Sequence, residues 1–497
     1  MVTNFFHGVA TRFIDTVPRP VRVVESAIIG IVGSSPQYLV AAADRSLNDP
    51  VRVISDVDDE QYAGTKRPGF TIPYALDALR DHGAGTVEIV NVFNIATHKT
   101  TAQSIGYTFP ANDKIQLVRV SGTSPSQAKT GINAEGLTGA FAVTNDAGAT
   151  TYTVDTDYTF DANTGVLTRV AGGSITTGQA VRVTYTYADP SKVTTADIIG
   201  GVQDGDRTGL SALKDVFGLR GHKVKIIICP GFSDSVNVAK EMESLADDLG
   251  AYFILDAPAG VTRDEAISGR AGIAPAANFG TASRRAILVY PRLFDTQDPP
   301  QLQSYSQYHA GMIAQTDERF GYWFSPSNKP LKGVTKLELP LAADFTDPNT
   351  DVNALNAAGI TTVYNGFGTG FLSWGNRSAL FPSDTTPLNF IAVGRTLDIF
   401  HESLQRASLP FVDRPISDPL IDQIVETGNG FIREQVILGA VLEGSRLFYD
   451  KAKNPPTSLA AGRITFSIRM MIPTPAETII YETTLDINLL SNLGGGN

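Results

Sequence analysis

Residues 223–256 read KVKIIICPGFSDSVNVAKEMESLADDLGAYFILD. KVKIIICPG is an apolar run without polar alternation, which marks a strand buried on both faces. SDSVNVAKEMESLADDLG is helical. Val238, Met242, Leu245 and Leu249 fall on one stripe, and Ser233 or Ser235 caps its start. AYFILD (251–256) returns to a strand. RDEAISGRAG (263–272) is helical again, and RRAILVYP (284–291) is a third strand. This β-α-β-α-β order implies a largely parallel sheet with right-handed crossovers.

The same alternation occurs nearer the N-terminus. VRVVESAIIGIVG (21–33) is a buried strand with a glycine-rich end, followed by strands at VRVIS (51–55) and TVEIVNVF (86–93). Between them IPYALDALRDHG (72–83) is a helix with Pro73 in its first turn and Gly83 closing it. From 97 to 192 the texture changes. Threonine becomes frequent, Lys and Arg sparse, and helical periodicity vanishes. YTFDANTGVLTRV (158–170) reads as two strands around Asn163-Thr164-Gly165, and AVRVTYTYADP (180–190) as an alternating strand ending at proline. This is an inserted β-sandwich, placed where the α/β pattern is interrupted. A third region begins near 336. It carries a short helix at 352–359, a strand pair around Asn365-Gly366 and a helix at 395–407. A longer helical stretch at 417–449 is broken near Gly428-Asn429-Gly430.

The chain closes with ITFSIRMMIPTPAETIIYETTLDINLL (464–490). Both halves alternate as strands do, with Ile479, Tyr481, Leu485 and Ile487 on one side of the second. By themselves these residues favour an intrachain hairpin of 464–470 with 478–487. An open terminal edge of that kind otherwise recruits other chains.

Composition narrows the function. The 497 residues suggest roughly three domains. A net charge of −11 argues against nucleic acid and against an anionic membrane surface. No apolar run is long enough to span a bilayer, so no membrane insertion is expected, and MVTNFFHGVATRF lacks a signal-peptide pattern. The single cysteine, Cys229, excludes an intrachain disulfide. It ends a strand, where α/β enzymes place nucleophiles, but the apolar setting IIICPG makes a buried, inert thiol the better reading. The six histidines (His7, His82, His98, His222, His309 and His401) show no zinc spacing. GIVGSSP (30–36) lacks the GK[ST] of a phosphate loop, and GFGTGF (366–371) lacks the GxGxxG order. Asp58-Asp59 and Asp247-Asp248 read as solvated faces, and no GxSxG elbow occurs. No catalytic residue, cofactor site or metal site is assigned.

Several segments together resemble the sheath proteins of contractile phage tails and R-type bacteriocins. They are FFHGV (5–9) with SAIIGIVG, GDRTGLSAL (205–213), FGYWFSPSNKPLKGVT (320–335), GFLSWGNRS (370–378), GRTLDIFHESL (394–404) and GRITFSIRMMIPTPAETIIYETTLD (462–486). They fall in order along nearly the whole chain, and only the β-rich insertion lies outside them. The resemblance implies a non-enzymatic structural subunit without cofactors. Such subunits stack as hexameric rings around a tail tube, assemble in a metastable extended helix, and contract to drive the tube through the host envelope. The implied partners are copies of the same chain, the tail tube protein, and baseplate and tail terminator proteins. The implied location is the virion tail, assembled in the host cytoplasm.

The fold class expected is an α/β core with a mixed, largely parallel sheet, an inserted all-β domain, and an α+β C-terminal domain with exchange arms. The divisions are an N-terminal arm (1–20), an outer α/β domain (21–96 plus 193–335), the insertion (97–192), a tube-proximal domain (336–477) and a C-terminal arm (478–497). By resemblance, Phe5–Arg19 with Phe5, Phe6, Gly8, Val9 and Phe13, and Thr478–Leu490 with Ile479, Tyr481, Leu485 and Ile487, are inter-subunit arms that complete a neighbour's sheet. Asn328, Lys329, Trp374, Asn376, Arg377, Arg395 and Asp398 sit in the matching motifs with structural roles, Arg395 and Asp398 being within reach at i, i+3. The tube-lining candidate is the long helical stretch. The alternatives are the sheath of a bacteriocin- or secretion-type injector, and an α/β hydrolase with a β-sandwich accessory domain using Cys229.

Overall fold

Ile226, Ile227 and Ile228 show how the central layer is built. All three are buried. In a strand successive side chains point to opposite faces, and Ile226 and Ile228 pack into one core while Ile227 and Cys229 pack into another. A strand with two cores must lie inside a sheet covered on both sides. The computed structural model, which describes residues 21, 23–121, 127–344, 346–366, 368 and 370–492, contains such a sheet. The expected N-terminal arm, with Phe5, Phe6, Gly8, Val9 and Phe13, lies outside the described residues.

The sheet strands are β1 (Ile29–Gly33), β2 (Val51–Val53), β3 (Val87–Asn91), β4 (Ile226–Ile228), β5 (Tyr252–Asp256), β6 (Ala286–Val289), β7 (Lys329–Pro330), β8 (Ile360–Tyr364) and β9 (Leu372–Trp374). Their order is β7-β9-β8-β6-β5-β4-β1-β3-β2. Neighbours from β8 to β3 are parallel, and β2, β9 and β7 are antiparallel additions at the two edges. The sheet is thus mixed and largely parallel. The division expected at 335/336 cuts through it, because β8 pairs with β6. That pairing spans some seventy residues of chain, so local periodicity carries no trace of it.

Helices cover both faces. On one, α1 (Ile72–Asp81) and α3 (Tyr305–Arg319) bury Leu76, Leu79, Tyr308 and Met312 against the strands. On the other, α2 (Val236–Leu249) buries Val238, Met242, Leu245 and Leu249 and ends at Gly250 in the left-handed region (φ 71°), where glycine carries no Cβ penalty. Ser235 is the N-cap residue of α2. Ser233 instead donates its hydroxyl to Asp256 at 2.8 Å.

Between β3 and β4 the chain forms two three-stranded antiparallel sheets and a two-stranded ribbon over residues 99–188. Leu167, Val181 and Tyr185, with further side chains from both sheets, form a core of their own. The turn at Asn163-Thr164-Gly165 closes the 158–161/166–169 hairpin as expected. A Cβ on Gly165 would lie 1.7 Å from the Ala134 carbonyl oxygen, so only glycine fits.

A fourth core joins α4 (Ile391–Ser408), α5 (Asp418–Leu438) and a hairpin of β10 (Arg446–Tyr449) with β11 (Phe466–Arg469) through Phe400, Phe431, Ile432 and Leu447. The helical stretch expected over 417–449 ends at 438 and continues as a turn and strand, and it is unbroken at 428–430. Gly428 is there for proximity, since a Cβ on it would lie 2.8 Å from Leu447 Cδ1. Gly439, at φ 80°, ends the helix instead.

Candidate functional site

The matching motifs converge where α4 meets the sheet. Arg395, Asp398 and Glu402 lie at i, i+3 and i+7 on one face of α4. Each meets an opposite charge or a carbonyl at the N-terminal ends of the strands or on α3. Arg395 donates to Asp317 of α3 at 2.9 and 2.6 Å and to the Ser26 carbonyl at 3.0 Å. Both side chains are nearly inaccessible, at 3% and 4%. Asp398 accepts from Arg284 at 2.8 Å and from Arg285 at 2.7 Å, just before β6. Glu402 pairs with Lys225, just before β4. The expected Arg395–Asp398 pair is therefore not formed as a hydrogen-bonded pair. Each residue has a bidentate partner on another element, and such a pair outweighs a single-turn contact. The partners Asp317, Arg284, Arg285, Lys225 and Glu402 were not found from sequence. The one available signal was the i, i+3, i+7 charge pattern on α4.

The other motif residues gather at the sheet's β7–β9 edge. Asn328 has a positive φ of 57° and its N–H donates to the Ser373 carbonyl at 2.7 Å. Lys329 stands 4.4 Å over the Phe320 ring. Trp374 packs on Tyr364, with ring centroids 5.0 Å apart. The Asn376 carbonyl accepts from Ile391 N–H at 3.0 Å and so fixes the start of α4. Arg377 stacks on Phe390 and Phe381, 3.9 and 4.6 Å from the ring centroids, and donates to Asn389 at 2.6 Å. Its remaining donors hold Glu477, one of them at 3.0 Å.

Beyond Glu477 the chain does not return as a strand. The expected hairpin of 464–470 with 478–487 is absent; β11 pairs with β10 instead. Two prolines, Pro473 and Pro475, and the Arg377–Glu477 contact carry the chain away from β11. Ile479, Tyr481, Leu485 and Ile487 are 68%, 88%, 95% and 76% exposed. The β10–β11 ribbon is a sheet of two strands. Beside it runs an apolar groove of about 530 Å³ between α4, α5 and the ribbon, lined by Leu404, Phe411, Ile424, Phe466 and Ile468.

The groups weighed as chemistry lie elsewhere. Cys229 is fully buried between sheet and α2, and burial pushes its thiol pKa up. His82 and His309 are buried on the α1/α3 face, and burial lowers them to about 4 and about 3. Asp256 is buried, but it accepts from Ser306 N–H at 2.8 Å and so caps the start of α3. These are structural uses of polar groups.

Taken together, fold and site describe a scaffold subunit, in which charge locks elements together and an apolar C-terminal segment is left exposed. Residues 192–379 match the family model for the phage tail sheath protein central domain. The chain is 43% identical to the tail sheath protein of Burkholderia phage BcepMu over the full length of both. It is 32% identical to a putative prophage major tail sheath protein of Pseudomonas aeruginosa UCBPP-PA14, covering 60% of this chain and 74% of that one. The fold is that of the sheath of an extracellular contractile injection system, PVC, in its contracted state (TM-score 0.61, 13% identity, 98% of this chain and 100% of that chain). The chain belongs to the phage tail sheath protein family and is a structural subunit of a contractile tail sheath.

Proposed function

We propose that this subunit polymerises as stacked hexameric rings around a tail tube in the virion, and that its C-terminal segment 478–490 passes to a neighbouring copy and adds a strand to that copy's β10–β11 ribbon. The observation that carries this reading is an exposed C-terminal segment with an alternating apolar sequence, with no regular secondary structure over 478–486 and a 3-10 turn over Ile487–Asn492, in a chain whose β10–β11 ribbon has only two strands among the described residues and borders an apolar groove. In β-augmentation, main-chain hydrogen bonds supply strength and alternate side chains set register. Ile479, Tyr481, Leu485 and Ile487 would then face the groove, with Glu482 and Asp486 turned outward. Strand exchange keeps rings connected while they rotate from an extended to a contracted helix, and no nucleotide need be hydrolysed. The N-terminal arm would be exchanged in the same manner. In this reading α5 faces the tube protein, the 97–192 insertion is displayed outward, and the baseplate and tail terminator cap the polymer, which is built in the host cytoplasm.

Negative-stain electron microscopy of the purified chain and of a version ending at 477 tests this. Tubes or stacked rings from the full chain, lost on truncation, support it. Equal assembly by both refutes exchange of the C-terminal strand.

A further inference from the structure

An exchanged arm works only if it leaves its own subunit in the right direction. Among the described residues Ile472 is the last that is buried, and 476–490 is exposed throughout. If Ile472 were the final anchor, the five residues to Glu477 could sweep the origin of the arm over about 17 Å when extended. Such freedom lowers the effective concentration of the strand at its target. Arg377 removes it. The guanidinium is held flat on two aromatic rings and bonded to Asn389, and its other donors grip Glu477 in a fork. Such a planar, multiply bonded site uses the geometry of arginine, which lysine does not share. Arg377 lies three residues after the end of β9 and is tied to the start of α4 by an isolated antiparallel bridge to Phe390. Glu477 is 41% exposed and contributes nothing to a core.

We propose that Arg377 is a positioning residue for assembly: by fixing Glu477 against the start of α4 it aims segment 478–490 outward and presents it to the neighbouring subunit. The proposal rests on the strand-exchange reading above. It makes a claim that reading does not: an ion pair within one subunit governs contacts between subunits.

The test uses the full chain carrying Glu477→Ala, Glu477→Lys or Glu477→Asp, beside the version ending at 477. Thermal unfolding is measured on the unassembled subunit. Polymerisation is measured as the protein concentration at which half the chain pellets as tubes. A spin-label pair at T483C and T385C reports the direction of the arm, since Cys229 is buried and does not compete for label. The expected result is an unchanged melting temperature for all three variants. The half-assembly concentration should rise at least about five-fold for Glu477→Ala, more for Glu477→Lys, and by less than about two-fold for Glu477→Asp. The label-to-label distance distribution should broaden in the same order. Assembly and distance distribution of Glu477→Ala equal to those of the native chain, while the truncation fails to assemble, would overturn the clamp and leave strand exchange standing. A loss of assembly that tracks a fallen melting temperature would overturn it too, by making the contact merely stabilising. Normal assembly of the truncation would sink both readings.

Discussion

Replacing Arg395 with methionine should destabilise the subunit out of proportion to the volume changed. Methionine keeps most of the aliphatic stem and removes the charge. What remains is Asp317, with its side chain 4% exposed and stripped of the two hydrogen bonds it accepts from Arg395, together with a Ser26 carbonyl that has lost a donor. Breaking a buried pair from one side costs about 3–5 kcal/mol, because the surviving charge is uncompensated, whereas removing both partners is often near neutral. At about 2–4 °C per kcal/mol for a large domain, the melting temperature should drop by roughly 6–20 °C. Asp317→Leu should cost less. Arg395 would keep the Ser26 carbonyl and remain in the field of Asp398. The double variant Arg395→Met/Asp317→Leu should recover to within about 2 kcal/mol of the native chain, as a coupled pair must. The assay is calorimetry of unassembled subunit at one scan rate, native and three variants side by side. Two results would refute the reasoning. One is an Arg395→Met melting temperature within about 2 °C of native. The other is a double variant as unstable as the sum of the singles.

Two further outcomes follow from other contacts. His82 is neutral in the fold, with Nδ1 bonded to the Ala78 carbonyl at 2.8 Å and Nε2 accepting the Lys332 N–H at 3.1 Å. Burial lowers its pKa from 6.5 to about 4, so the unfolded chain binds the proton more readily. Stability is therefore whole above pH ~6.5 and lost as pH falls toward 4, by roughly 3 kcal/mol for this group. His309 acts with the same sign. Calorimetry between pH 7.5 and 4.5 should show this slope, and His82→Gln should flatten it. Gly375 has φ 140° and its Cβ would stand 2.8 Å from Thr361 Cα on β8. Gly375→Ala should cost about 2–4 kcal/mol through strain and overpacking; an unchanged melting temperature would show that the strand pair yields freely.

How much of this was legible in the sequence depends on distance along the chain. The 223–291 strands and helices were readable because each writes its burial in its own period: Ile226 to Ile228 as a two-sided strand, Val238 to Leu249 as a stripe. The β6–β8 pairing was not, because parallel pairing leaves no local mark on either strand. The same holds for the partners of Arg395 and Asp398, which lie 78 and 114 residues away. Alternation in 478–487 suggested a strand and, by itself, a hairpin with 464–470; the structure gives 478–486 no regular element and Ile487–Asn492 a 3-10 helix, and β11 pairs with β10. Period describes which faces a strand would have and is silent on what lies beside it. Gly428 was misread for a similar reason. Glycine in a helix signals either a break or a close approach, and only the position of Leu447 tells which.

The exposed C-terminal segment, as the proposed exchange strand, raises a physical problem that the sequence also answers. A long apolar edge free in solution invites indiscriminate pairing. Segment 478–490 carries Glu482 and Asp486 on the face opposite Tyr481 and Leu485, so a second arm laid against it in register brings like charges together, which is unfavourable. The whole chain carries −11, which adds repulsion between free subunits. Pro473 and Pro475 prevent the strand from growing back toward β11, since proline cannot donate to a ladder. Each device is weak, and together they discriminate. Arm against arm is penalised, and arm against its own ribbon is blocked. In the proposed exchange, arm against a neighbour's ribbon would gain the Leu404, Phe466 and Ile468 groove while keeping its carboxylates in water. The same argument explains why the body needs strong internal locks at Arg395, Asp398 and Glu402. In the proposed exchange, a subunit that pulls on its neighbours through strands must hold its own layers together more firmly than the strands hold to one another.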